Sequence, residues 1–225
     1  MRYAFIERHR DTWPIVVQCR VLQVSASGYH QHRLRQAAEV GPNLLARNFA
    51  VDAPNRVWSG DITYIWTEEG WLYLAVVIDL FNRQVVGFAM GQRMTRALVM
   101  DALRMAWFRR QPAPGLIFPS GQMVRNCGSQ YSSNDYRKLL RDFKMESSMS
   151  RKGDCRDNAV TETLFGSLKV ERLHGMRFAT RRQAKDEVMD WITFYNHRRL
   201  HSTLGYTSPM AFEQKWLATR SSLAA

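Results

Sequence analysis

Val57-Trp58-Ser59-Gly60-Asp61-Ile62-Thr63-Tyr64-Ile65 sets a single acid in the middle of a run that otherwise reads as a β-strand. Period-two alternation sends Ile62, Tyr64 and Trp66 to one face and Asp61, Thr63 and Ile65 to the other. Glu68-Glu69-Gly70 makes a turn, and Trp71 to Ile78 is almost wholly apolar, which suits a strand buried on both faces. A charge in such a sheet is costly unless it is paired or holds a metal. Asp61 is therefore either a strand-edge carboxylate in water or a ligand.

Outward from this stretch, the pattern predicts strands at 57–66, 71–80 and 84–91, the last two joined by the turn Phe81-Asn82-Arg83. Thr95 can cap a helix to about Arg109, with Ala97, Val99, Met100, Leu103 and Trp107 on a broad apolar face, and Pro112 and Pro114 stop it. Gly115 to Phe118 reads as a short buried strand. Ser133 or Asn134 opens a helix carrying Tyr136, Leu139, Leu140 and Phe143, and Met145 to Met149 is a short strand or loop. Helix then runs from Asp157 to about Arg172 and from about Thr180 to Tyr195. Three hairpin-linked strands followed by alternating helices and strands imply an α/β fold, a mixed sheet flanked by helices.

The 225 residues are 45% hydrophobic, enough for one sizeable core, and carry a net charge of +12. That excess favours a polyanion partner, most often nucleic acid, over a merely soluble basic protein. No apolar run is long enough for a membrane span, and the charged start is unlike a secretory signal. Cys19, Cys127 and Cys155 are scattered, as suits reduced thiols in a cytoplasm. Residues 1–45 form a basic arm. Within it Cys19 to Tyr29 reads as helix, and a second helix after Val24-Ser25-Ala26-Ser27-Gly28 would make half of a helix-turn-helix. Gly41-Pro42-Asn43 looks like a linker.

On the helix after Asp157, steps of about 100° bring Val160, Leu164 and Leu168 onto one buried stripe and Asn158, Glu162 and Lys169 onto the opposite side. A carboxylate and an ammonium thus share a face, which on its own would also describe an ordinary solvated surface. Gly166 in mid-helix marks either a close approach or nothing. His197 and His201 have zinc-like spacing without a cysteine pair nearby, which argues against zinc. They belong to a polar turn whose arginines, Arg198 and Arg199, could contact phosphates.

Five motifs, in order, resemble the integrase core of insertion-sequence transposases, and more narrowly the OrfB product of the IS-three family. They are Trp58-x-x-Asp61-Ile62-Thr63-Tyr64, Asp79-Leu80-Phe81-x-Arg83-x-Val85-Val86-Gly87, Gly128-Ser129-Gln130-Tyr131, Met149-Ser150-Arg151-Lys152-Gly153-x-Cys155-x-Asp157-Asn158-Ala159-x-x-Glu162, and Tyr195-Asn196 running on to His201 and Leu204-Gly205. The resemblance covers about 50–213, and weakly 1–35. It implies a ribonuclease H-like core over 46–213, a truncated helix-turn-helix region before it and a tail at 214–225. It implies DNA cleavage and strand transfer by an Asp-Asp-Glu triad on Mg²⁺ or Mn²⁺, homo-oligomers acting on double-stranded transposon ends and target, and a cytoplasmic, nucleoid-associated protein. Asp61 and Glu162 match the first and third acids, the metal ligands, and their carboxyl groups should lie within about 10 Å of each other, since paired ions sit roughly 4 Å apart. Lys169, Arg198, Arg199, Arg151 and Lys152 are the candidate DNA contacts. The second acid is replaced. Counting back from Gly128 puts Asn126 on it; counting forward from Phe118 puts Gly121 there, and extra residues look inserted between. The expectation is a weakly bound metal and impaired catalysis, with an inactive DNA-binding or regulatory remnant as the alternative.

Overall fold

In the computed structural model, residues 2–10, 12–30, 32, 51–119, 134–148 and 159–223 are described. The chain divides into two compact units, Met1–Pro42 and Asn43–Ala225. In the first, helices α1 (Arg2–Arg8) and α2 (Ile15–Val21) are followed by helix again from residue 26. A continuous helix over Cys19–Tyr29 is therefore not formed. Gln23 takes the left-handed conformation at φ 52°, and the Ser25 hydroxyl accepts the Gly28 N–H at 2.9 Å, so the turn breaks one helix and caps the next. Ile6, Cys19 and Tyr29 make its small core.

The second unit is built on β1 (Trp58–Ile65), β2 (Leu72–Asp79) and β3 (Val85–Gly91). They form an antiparallel sheet in which Asp61 stands opposite Val76 and Trp58 opposite Asp79, with an irregularity between Val77 and Ile78. Helix α3 (Arg96–Arg110) starts where expected, the Thr95 hydroxyl accepting the Leu98 N–H. Strand β4 (Ile117–Pro119), helix α4 (Asn134–Asp142) and strand β5 (Glu146–Ser148) follow, β4 and β5 pairing in parallel. A parallel bridge from Val57 to Ile117 sets β4 beside β1. The strands thus form a three-stranded antiparallel sheet, β1-β2-β3, and a two-stranded parallel pair, β4-β5, joined at that bridge.

Helices α5 (Ala159–Leu168), α6 (Arg181–His197) and α7 (Pro209–Leu223) complete the unit. A π-helical turn, Lys169–Leu173, extends α5, and a capping box of Thr180 and Gln183 opens α6. The expected boundary at 213/214 falls inside α7. Trp216 of that helix packs edge-on against Phe81, and Glu213 pairs with Arg110.

Strand alternation divides the core into two layers. Trp58, Ile62, Ala75, Val77 and Val86 face α3 and α4; Val57, Ile65, Leu74, Val76 and Ile78 face α5 and α6. Each buried Leu, Ile or Phe adds about 1.5–3 kcal/mol. Two glycines let the layers close. A Cβ on Gly60 would meet the Phe118 ring at 2.9 Å, and one on Gly87 would meet the Ala102 carbonyl at 2.3 Å.

Candidate active site

Asp61 sits mid-strand on β1, 6% exposed, on the face turned toward α5 and α6. Its Oδ1 accepts the Ile62 N–H at 2.7 Å. Two residues earlier on the same face, the buried Ser59 hydroxyl lies 3.1 Å from the hydroxyl of Thr161 on α5. This hydroxyl pair ties strand to helix across 102 positions of sequence. Thr161, Leu164 and Phe165 are buried, and Glu162 is carried on the exposed side of the same turn. The fold thus brings together the two elements that carry Asp61 and Glu162. Asn126, Gly121, Arg151 and Lys152 lie outside the described residues.

Along α5 the exposed side continues through Gly166, where a Cβ would meet no atom within 4 Å, so among the described residues the glycine marks no close contact. Lys169 follows, exposed, its Nζ 5.3 Å from the centre of the Tyr64 ring. Carboxylate and ammonium therefore share an open strip next to β1.

The motif at the end of α6 and in the turn after it has partners within the chain. The Asn196 side chain is 3% exposed; its Oδ1 accepts the Val85 N–H at 2.9 Å and its Nδ2 donates to the Val85 carbonyl at 2.9 Å. Arg199 is committed to Glu171, its Nε donating to both carboxylate oxygens at 3.0 and 2.9 Å. That hydrogen bonding holds the Glu171 carboxyl below the usual range and the guanidinium above its own. His201 packs edge-on against Tyr195, and burial, with the Arg199 and Arg83 charges, lowers its pKa to about 4. It is neutral at pH 7. Of the two arginines, Arg198 is the exposed one.

A buried polar knot lies where the end of β2 meets the start of β1. Asp79 accepts the N–H groups of Asn55 at 2.7 Å and Phe81 at 3.0 Å, while Arg110 donates to Asn55 and Gln84 and pairs with Glu213. Burial pushes the Asp79 carboxyl up to about 6, against the pull of the two backbone N–H groups and Arg110. Its acid stands within a sequence motif, but its work is to hold the turn.

Residues 51–155 and 162–217 each match the integrase core domain family. Over 187 residues the chain is 45% identical to the transposase for insertion sequence element IS904 of Lactococcus lactis, covering 82% of this chain and 72% of that one. The chain belongs to the insertion-sequence transposases. Within them it is 46% identical over 178 residues to an insertion element IS600 protein of Shigella sonnei, covering 79% of this chain and 64% of that one. It is 45% identical over 195 residues to the transposase InsF for IS3A of Escherichia coli, covering 86% and 65%. This transposase chain thus spans 64–72% of the length of these relatives.

Solved structures show the same ribonuclease H-like fold. The simian T-cell lymphotropic virus intasome superposes with a TM-score of 0.57 at 15% identity, over 72% of this chain and 55% of that one. The magnesium-bound catalytic core of HTLV-2 integrase gives 0.50 at 14% identity, over 72% and 98%. The BIV integrase core gives 0.51 at 14% identity, over 74% and 99%. Among the described residues no three His, Cys, Asp or Glu side chains cluster as a metal site, and no helix is long and apolar enough to cross a membrane.

Proposed function

We propose that this transposase core acts on DNA ends through a divalent-metal site formed by Asp61 and Glu162, impaired because Asn126 stands where the family carries its second acid. The observation that carries the proposal is the Ser59–Thr161 hydroxyl pair at 3.1 Å, which fastens the strand bearing Asp61 to the helix bearing Glu162. The donors fit the ion. Both are carboxylates, the hard oxygen ligands that Mg²⁺ and Mn²⁺ prefer. Bound there, the metal would activate the attacking hydroxyl and stabilise the leaving oxygen.

The chain's own residues set the rest. Asp61 projects from the rigid middle of a sheet, and Glu162 from a helix anchored by Leu164, Phe165 and Leu168. The strand and helix that carry the two carboxylates are thus anchored before substrate arrives, and such ordering of catalytic groups is where orientation contributes most to rate. Lys169 and Arg198 are exposed cations that can take backbone phosphates, and the net charge of +12 draws DNA in. Arg151 and Lys152 belong to the same proposed set of DNA contacts on sequence grounds. The double-stranded DNA of transposon ends and target is the proposed substrate, worked on by more than one copy of the chain in the cytoplasm.

A second reading is favoured by the sequence: neither Asn126 nor Gly121, the two residues that alignment sets at the second-acid position, is a carboxylate. An inactive DNA-binding remnant would keep the fold and the basic surface and lose the chemistry. A strand-transfer assay on terminal-repeat DNA with Mg²⁺ or Mn²⁺ separates the two. Weak activity abolished by Asp61→Asn supports the metal-site reading. Product that survives Asp61→Asn and Glu162→Gln overturns it, and metal-independent DNA binding without product supports the remnant.

A further inference from the structure

Beyond the carboxylates, the β1–β2 hairpin ends in an aromatic cluster that the proposed chemistry does not use. Trp71 stands edge-on to Tyr64 at 5.0 Å and to Trp66 at 4.7 Å between ring centres. Such contacts fix the rings against one another. Yet Trp66 is 59% exposed and Tyr64 50%, which burying a core does not explain. Beside them runs a groove of about 490 Å³ lined by Tyr64, Trp66, Glu68, Lys169, Met176 and Arg177. Its charged lining is two cations and one acid. It lies at the end of β1, where Ile65, on the Asp61 face, also lines it, and Lys169 opens the turn that extends the Glu162-bearing α5.

We propose that this groove takes an unpaired nucleotide of a DNA strand, its base stacked on Trp66 and its phosphate held by Lys169 and Arg177. A planar, rigidly backed indole next to cations is what single-strand recognition requires, because every base has a face to stack and every nucleotide a charge to neutralise. The rival occupant, an apolar patch of a second copy of this chain, would leave both cations facing a surface that is itself strongly basic. The position suits a strand end separated from its complement beside the acids. The proposal rests on the DNA-acting reading above.

The test is fluorescence anisotropy on the full chain, with a labelled single-stranded oligothymidylate and a blunt duplex of equal length. The variants are Trp66→Ala and Trp66→Phe, both at an exposed position. Trp66→Ala should weaken single-strand binding about tenfold, as the loss of one base–aromatic stack does. Duplex binding should stay within about twofold, and Trp66→Phe should recover most of the loss. Equal loss on both probes, or none on either, overturns the groove assignment. So does a fall in oligomer mass by sedimentation with DNA binding unchanged, which would make the patch a contact between copies. If the unaltered chain binds neither probe, the DNA-acting reading fails as well. Salt-dependent duplex binding together with an indifferent Trp66→Ala removes the groove alone.

Discussion

Replacing Asn196 by Ala should destabilise the protein more than any exposed change near the site. β3 is the edge of the antiparallel sheet, and the Asn196 amide completes it at Val85 much as a neighbouring strand would. Ala leaves one buried N–H and one buried carbonyl of Val85 without that partner. Each such group costs about 1–3 kcal/mol, so the pair amounts to about 2–6 kcal/mol, and some entry of water favours the lower half, about 3 kcal/mol. With a urea slope of about 1–3 kcal/mol/M, the midpoint should fall by about 1–3 M at an unchanged slope. Asn196→Asp keeps the acceptor, loses the donor and sets a carboxylate against the Val85 carbonyl. It should be at least as damaging at neutral pH and partly recover in acid, where a protonated carboxyl donates again. A loss below about 1 kcal/mol for Asn196→Ala would refute the view that this motif residue is a sheet-closing element.

Two further outcomes follow from the same structure and a third from the sequence. Burial raises the folded Asp79 carboxyl from its ordinary 3.8 to about 6, so the folded state holds its proton longer. Its contribution to stability is therefore present below about pH 4 and lost as pH rises to about 6, a slope that Asp79→Asn should flatten in chemical unfolding across that range. Arg198→Gln should lower the slope of log affinity against log salt by about one for duplex DNA, whereas Arg199→Gln should leave that slope unchanged and lower thermal stability, because Arg199 is held by Glu171. Asn126→Asp should bind Mn²⁺ measurably more tightly by calorimetry; no gain would mean that Asn126 does not occupy the ligand position, and would favour the Gly121 alignment.

Much of this was legible in the chain. The alternation around Asp61 gave the strand and its two faces, and both appear as the two core layers. Thr95 and Thr180 were readable as helix starts because capping is local chemistry. The stripe of Leu164 and Leu168 placed Glu162 on the open side of its helix. Other roles depended on partners distant in sequence and could not be read from spacing. Arg199 and Asn196 look alike as polar turn residues, yet one meets Glu171 and the other closes β3 at Val85. Asp79 resembled any motif acid until its two backbone donors were seen. The packing of α7 was likewise not readable, since its partners Phe81 and Arg110 come from a remote turn and a remote helix.

The central claim is that Asp61 and Glu162 serve one metal. Electron paramagnetic resonance titration of Mn²⁺ into the unaltered chain, Asp61→Asn, Glu162→Gln and the double variant tests it without requiring turnover. Ligands of one ion act as a unit, so their effects are strongly non-additive. The account predicts that the unaltered chain binds Mn²⁺ weakly, that either single change removes binding, and that the double change does no further harm. Unchanged Mn²⁺ binding in both single variants, or two independent and additive losses, would contradict it.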